Sequence, residues 1–377
     1  MIEGPIAVCS NAIVPGSGAP SSAHGLRASG LRDGLVAAGY EVDIVSPSSS
    51  VMAQLHRWGS RRMSIPGHWR ILGDEQYARR LNTDYAAVIF PNWPVARRFQ
   101  RSDDVRIIYD FFSATLVEHA MIADHESLQQ KRSEKLSLIE QAAIVIGNGE
   151  VQTRYAKEFL TREAKRPPKG DIPAVRLGLP YRAPTPTKAH RLRLFFGGFL
   201  QAWTTGISLV ELEALADDLD LDVHAIGLGQ HAHFRDLSKI GRYRPRSAHV
   251  ILHEVSSFEG YQDLNHGADV ALDVFEPNPE REISYSTRAI SSLACGCPLI
   301  TMGFTEIGRL VEETGAGWTL DEFSIEALRD RLTTLKANPQ LVAKARTKTR
   351  DFWTAYIDPV RQAKPLVSML ESGVSNV

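Results

Sequence analysis

Long apolar runs, a cysteine framework and an excess of charge of one sign are all missing from this 377-residue chain. No stretch of about 18 apolar residues occurs, so no transmembrane helix is expected. The start has no basic segment leading into an apolar one, so no signal peptide is read. Three cysteines, Cys9, Cys295 and Cys297, make neither a disulfide scaffold nor a zinc set. Cys295 and Cys297 are too close in sequence for ordinary bridging geometry and read as small buried residues. A reduced, cytoplasmic setting fits, and peripheral membrane contact through the N-terminal half is left open. Basic residues number 43 against 44 acidic ones, a net charge of -1. No overall basic field therefore argues for a nucleic-acid partner. Clusters such as Arg97-Arg98 and Arg242 to Arg246 read as solvated faces. There is no internal repeat, no full G-x-G-x-x-G dinucleotide fingerprint, and no Ser-His-Asp or Cys-His arrangement by local motif.

What is present is a globular composition, 43% hydrophobic and 23% charged, long enough for two domains. Short apolar runs alternate with amphipathic stretches, the mark of βαβ units and parallel sheets. Strands are predicted at Ile6–Ser10, Glu41–Ser46, Tyr85–Phe90, Val105–Phe111, Ala142–Ile146 and Ala174–Leu177. A helix is predicted from His24 to Gly39, with Gly39 as its stop. The proline-rich break Ala183–Lys188 is the best linker candidate. After it the alternation restarts, with strands at Leu192–Phe196, Val223–Leu228, His249–His253, Val270–Phe275 and Pro298–Met302. The tail from Thr349 to Leu370 reads as helix broken at Asp358-Pro359.

The most informative stretch is Glu280 to Gly303: a polar loop, a helix, the tight turn Cys295-Gly296-Cys297-Pro298 and a buried strand. A polar loop feeding a helix N-terminus can receive a phosphate, because the first N–H groups are unpaired and the dipole favours an anion. Arg288 sits near that N-terminus and suits bidentate pairing with phosphate; the alternative is an ordinary helix start with a solvent-facing arginine. His24 opens the first helix, where a histidine tends to lose its charge and suits a neutral hydrogen-bonding role; a structural histidine is the alternative. Asp218–Asp222, DLDLD, lies between a helix and a strand, so its acids read as a solvated face and not as a metal motif.

Ala294-Cys295-Gly296-Cys297-Pro298-Leu299-Ile300 fits A-x-G-x-P-[VL]-[IV], and Ser286-Thr287-Arg288 sets a basic residue eight positions before the glycine. With Leu192–Gly198 and Val175–Pro180, these segments resemble nucleotide-sugar glycosyltransferases of the GT-B type, especially the retaining family 4. The resemblance implies two Rossmann-like domains facing across a cleft, with a C-terminal helix crossing back to the first. It implies an acceptor domain over 1–182 with a crossing tail 352–377, a linker 183–190 and a donor domain 191–351. The implied reaction moves a hexosyl group from a nucleotide diphosphate sugar to an acceptor hydroxyl with retention, without a metal or other cofactor. The implied acceptors are a sugar, a lipid-linked sugar or a small metabolite.

Residue by residue, Gly197, Gly198, Trp203, Tyr285, Ser286, Thr287, Arg288 and Ser291 fall at donor-binding positions. Glu280 and Glu282 fall in the loop that lies by the donor sugar, Glu280 being preferred and Glu276 a third candidate. Gly16, Gly18, Ser21 and Ser22 fall in the first loop, which reaches toward phosphate and acceptor. His24 and Asp110 are further catalytic candidates, Asp110 as hydrogen-bond acceptor or base, with a helix cap or a salt bridge as its alternative. Trp93 ends a strand where it could stack on a sugar or pack at a rim. Ser291 departs from the commonest pattern, which has Glu there to bind the ribose, so nucleotide identity stays open. A sugar-nucleotide epimerase, a phosphorylase and a noncatalytic binding subunit are the rival readings.

Overall fold

The structure, a computed structural model, describes the chain except residues 1–2, 58–62, 92–95, 97–98, 100–104, 122–124, 166–167, 185–190, 198–205, 227–244, 255–256 and 377. It divides into two compact units. The first comprises Met1–Leu179, Ile283–Tyr285 and Tyr356–Val377; the second comprises Pro180–Glu282 and Ser286–Ala355.

The first unit holds a six-stranded sheet of β1 (Ile6–Cys9), β2 (Val42–Pro47), β3 (Trp69–Leu72), β4 (Ala87–Phe90), β5 (Arg106–Phe111) and β6 (Ile144–Gly147). The order is β3-β2-β1-β4-β5-β6 and every pairing is parallel. Alternate residues serve opposite faces: Ala7 and Cys9 join one apolar cluster, Ile6 and Val8 the other. The strand order reverses between β1 and β4, the switch point at which such sheets bind ligands.

The helix Ala23–Ala37 packs unusually closely. A Cβ on Gly30 would stand 2.2 Å from the Gly178 carbonyl oxygen, and one on Gly34 would stand 2.4 Å from that of Pro359. These glycines let the first helix seat against the C-terminal helix Pro359–Ser372. Asp358 caps that helix by accepting from the Val360 N–H at 3.1 Å, and Pro359 follows, where a missing donor costs nothing. Its Leu366 and Leu370 join the cluster of Leu31 and Leu35. The tail therefore belongs to the first unit's core.

The edge of β6 is finished by two remote segments. The expected strand Ala174–Leu177 contributes a single bridge, Gly147 to Ala174. Farther along the edge, the Asn376 carboxamide stands in for a backbone: it accepts from the Val145 N–H at 2.8 Å and donates to the Val145 carbonyl at 3.0 Å.

The second unit repeats the design with β7 (Arg193–Phe196), β8 (Asp222–Ile226), β9 (Val250–His253), β10 (Val270–Asp273), β11 (Leu299–Met302) and β12 (Gly317–Leu320), in the order β12-β11-β10-β7-β8-β9 and all parallel. One apolar cluster runs from Leu194 and Leu272 to Leu328 and Leu332. Asp218 and Asp220 pair with Arg329 and Arg191 on the surface. Two parallel six-stranded sheets with helical crossovers make this a double Rossmann-like chain. β3 and β12, both edge strands, were not foreseen from sequence. No helix among the described residues is long and apolar enough to cross a membrane.

Candidate functional site

The second unit's switch point lies between β7 and β10, which pair in parallel with Ala271 opposite Phe195. Carried two residues on, that register brings Gly197, the residue after β7, level with Asp273, the last residue of β10, at the sheet's carboxyl edge. Gly197 is confined: a Cβ there would stand 2.3 Å from the Phe195 ring. Gly198 and Trp203 lie outside the described residues.

After β10 the chain makes a short helix, Pro279–Ile283, and then the helix Thr287–Ala294. Ser286 is the N-cap of the latter, its hydroxyl accepting from the Ala289 N–H. Every residue from Ala289 to Ala294 is buried, which locks the helix against the sheet. At its far end Gly296 has φ of 71°, and a Cβ would meet Pro184 at 2.5 Å, so the glycine of the motif is sterically required. Ser292 anchors the middle, with its hydroxyl 2.5 Å from Asn265 Oδ1.

Arg288 lies in the first turn of that helix. Its Nε stands 3.1 Å from Oδ1 of Asp273, whose side chain is 1% exposed against 14% for the arginine. This is an ion-pair contact on one edge of the guanidinium, and it holds Arg288 over the carboxyl end of β10. Thr287 is half-buried at the helix start, and Ser291 is buried one turn on. Sequence reasoning passed over Asp273, whose place as the last residue of an apolar strand was the available signal.

The three loop glutamates separate by environment. Glu276 and Glu282 are exposed, whereas Glu280 is 2% exposed. Its carboxylate accepts from Nε and, at 2.8 Å, from Nη2 of the adjacent Arg281, whose guanidinium lies 5.2 Å from the Phe275 ring. Asn278 fixes this turn by accepting from the N–H groups of Glu280 and Arg281 at 3.2 and 3.1 Å. Tyr285, 4% exposed, falls among the residues grouped with the first unit.

In the first unit, the loop from β1 to the helix Ala23–Ala37 turns through Gly16 and Gly18 at φ of 81° and 71°, values that suit glycine. Ser22 is the N-cap but makes no side-chain cap bond. Ser21 Oγ, His24 Nε2 and Arg27 Nη1 are buried with no hydrogen-bond partner among the described residues. The His24 ring meets Phe112 edge-on at 5.4 Å, and the Arg27 guanidinium lies 5.5 Å from the same ring. Burial pushes the imidazole down to about 4, so His24 is neutral at ordinary pH.

Asp110 takes the salt-bridged alternative. Both oxygens accept from Arg27, Oδ2 from Nε at 2.7 Å and Oδ1 from Nη2 at 2.8 Å, and the side chains are 0% and 1% exposed. Burial raises its pKa, and the Arg27 charge and hydrogen bonds oppose that rise. Asp110 is thus an anchor of the first helix, and Arg27 is a residue the sequence reading missed. Trp93 lies outside the described residues. The candidates form two groups, one at the carboxyl edge of each sheet.

At the level of sequence, no family model and no curated protein matches the chain. The structure is similar to sucrose-phosphate synthase from Thermosynechococcus elongatus, at 14% identity and a TM-score of 0.64 over 98% of this chain and 100% of that one. It is similar to an alpha-glucosyltransferase solved with UDP-glucose and DNA containing an abasic site, at 11% identity and a TM-score of 0.67 over 97% and 99%. A third likeness is AviGT4, a glycosyltransferase involved in avilamycin A biosynthesis, at 14% identity and a TM-score of 0.60 over 100% of both chains. These full-length likenesses establish the fold: two Rossmann-like domains of the GT-B type.

Proposed function

We propose that this chain is a glycosyltransferase that moves a hexosyl group from a nucleoside diphosphate sugar to an acceptor hydroxyl. The observation that carries the reading is Arg288, held in the first turn of a buried, side-chain-capped helix at the carboxyl edge of a parallel sheet. Its charge and the helix N-terminus meet where a departing diphosphate gains negative charge, and preorganised positive charge at that point lowers the barrier. A solved structure of the same fold with UDP-glucose supports a nucleotide-sugar donor.

Gly197, at the adjacent strand end, leaves room for the Phe195 ring that packs against it. Arg281 holds Glu280, and their paired head groups sit in the loop that borders the donor sugar. In the first unit, neutral His24 offers a hydrogen bond to a sugar hydroxyl, while the Arg27–Asp110 pair fixes the helix that carries it. With no general base in the Asp110 position free to take a proton, retention with leaving-group assistance fits better than base-driven inversion. The Arg288 clamp supplies the charge that a divalent cation supplies elsewhere, so transfer proceeds without metal. The acceptor is a sugar, a lipid-linked sugar or a small metabolite; the near-zero net charge gives no field for drawing in nucleic acid.

The test is a thermal-shift panel of UDP, GDP, dTDP and ADP, followed by release of nucleotide from the matching sugar donors with and without EDTA. A ligand at 100 times its dissociation constant stabilises by about 2.7 kcal/mol. Stabilisation by one diphosphate and EDTA-resistant turnover are expected. No stabilisation by any of the four would overturn the reading, and a strict metal requirement would overturn the metal-free mechanism.

A further inference from the structure

The sequence marks Arg288 as a candidate clamp but is silent on what sets the direction of its guanidinium. Asp273 is the last residue of β10, its side chain 1% exposed, and it faces Arg288 with Oδ1 3.1 Å from Nε. Among the described residues Oδ1 makes no hydrogen bond, so this carboxylate oxygen is buried without an aligned donor. A buried carboxylate under-served by donors is costly, and the cost persists only where a fixed cation faces it. The backbone beneath is rigid: Thr301 of the neighbouring β11 donates to the Asp273 carbonyl at 3.1 Å.

A carboxylate charge on the Nε side of the planar guanidinium favours orientations that present the Nη edge away from it. Arg288 makes no hydrogen bond through either Nη nitrogen among the described residues. Tyr261 is a buried phenol whose pKa is pushed up by burial and drawn down by the Arg288 charge. Glu280 is engaged by Arg281. The carboxylate on Arg288 is therefore that of Asp273, and the donor edge opposite it is the one available to a ligand.

We propose that Asp273 is a positioning residue for the nucleoside diphosphate: it grips Nε of Arg288 so that both Nη groups meet phosphoryl oxygens. The inference rests on the donor-site reading above. Its consequence is a coupling between two residues that appears only when phosphate is present. Asp273→Asn keeps shape and burial but replaces the ionic grip, so Arg288 samples other rotamers and pays to be reordered on binding.

The experiment is calorimetric titration of the full chain with UDP and uridine, with GDP, dTDP and ADP and their nucleosides run alongside. The proteins are wild type, Asp273→Asn, Arg288→Gln and the double variant. The wild type should prefer a diphosphate over its nucleoside. Asp273→Asn should weaken diphosphate binding about tenfold, within the range for residues that act together, leave nucleoside binding unchanged, and have no further effect in the Arg288→Gln background. If no wild-type diphosphate preference exists, the donor-site reading itself falls. If the preference exists and Asp273→Asn keeps it, or if Asp273→Asn weakens binding equally with and without Arg288, the positioning role is wrong. Should Asp273→Asn fail to fold, Arg288→Lys still decides: a lysine keeps a charge opposite Asp273 but has no fixed Nη edge, so a diphosphate preference that survives Arg288→Lys undiminished refutes the orienting role, and its loss upholds it.

Discussion

Replacing Asp110 should unfold the first domain before it impairs any chemistry. The carboxylate and the Arg27 guanidinium are both essentially inaccessible, and two hydrogen bonds of 2.7 and 2.8 Å join them. Asp110→Ala leaves the guanidinium buried without its counter-charge, and breaking such a pair costs about 3–5 kcal/mol. Arg27→Ala strands the carboxylate and should cost about as much. Against a total stability of about 5–15 kcal/mol, either is a large loss. The double replacement Arg27→Met with Asp110→Leu exchanges the pair for apolar groups and should be less damaging than either single change, since such exchanges are often neutral. The assay is urea unfolding of the full chain followed by circular dichroism, with nucleotide binding as a separate report on the second unit. An Asp110→Ala protein within about 1 kcal/mol of wild type would mean that the pair does not hold the helix. A double variant as unstable as the sum of the singles would refute the coupling. If Asp110→Asn kept stability while abolishing transfer, the anchoring role would yield to a catalytic one.

Asn376→Ala should lower stability by about 2–4 kcal/mol, because it strands the N–H and C=O of Val145, whose hydrogen bonds to the carboxamide are 2.8 and 3.0 Å; thermal melting of the full chain checks this, and an unchanged midpoint would show the edge finds other partners. Gly30→Ala should be poorly tolerated, since the new Cβ would stand 2.2 Å from the Gly178 oxygen; near-wild-type expression and melting would contradict that packing. His24 is held near 4 against an ordinary 6.5, so between those values the unfolded chain binds a proton that the folded chain does not. Stability from this group is therefore complete above about 6.5 and is lost as pH falls toward 4; melts of His24→Gln beside wild type at pH values in and above that window should show a smaller acid loss in the variant.

The parallel architecture was readable because buried strands such as Ile6–Cys9 and Ile144–Gly147 are continuous apolar runs. The strands that escaped are β3 and β12, four residues each and half-exposed on the sheet edges, where neither an apolar run nor a clean alternation marks them. Conversely, Ala174–Leu177 has strand-like composition but bridges β6 at one residue. Val175 donates to the Gly147 carbonyl, and the next inward N–H, that of Leu177, goes to the Asn148 side chain. The neighbouring edge position is filled by a residue 231 positions away in sequence, which no local window can reveal.

The site shows the same division between local and remote causes. Arg288 announced itself because its spacing to Gly296 is carried by one helix and its turn. Asp273 did not, because its pairing with Arg288 depends on how the loop after β10 folds back onto the strand end. Arg27 and Asp110 lie 83 residues apart, so a salt bridge was one of several open fates for the aspartate until the sheet joined them. Ser291 carries the point furthest. It is buried, as is every residue of its helix from Ala289 to Ala294. A longer acidic side chain at that position would have to leave the packed face or bring its own cation, and the nearby arginine is already engaged by Asp273. The small residue at 291 is thus compatible with the packed helix and with the acid at 273, which already lies beside Arg288.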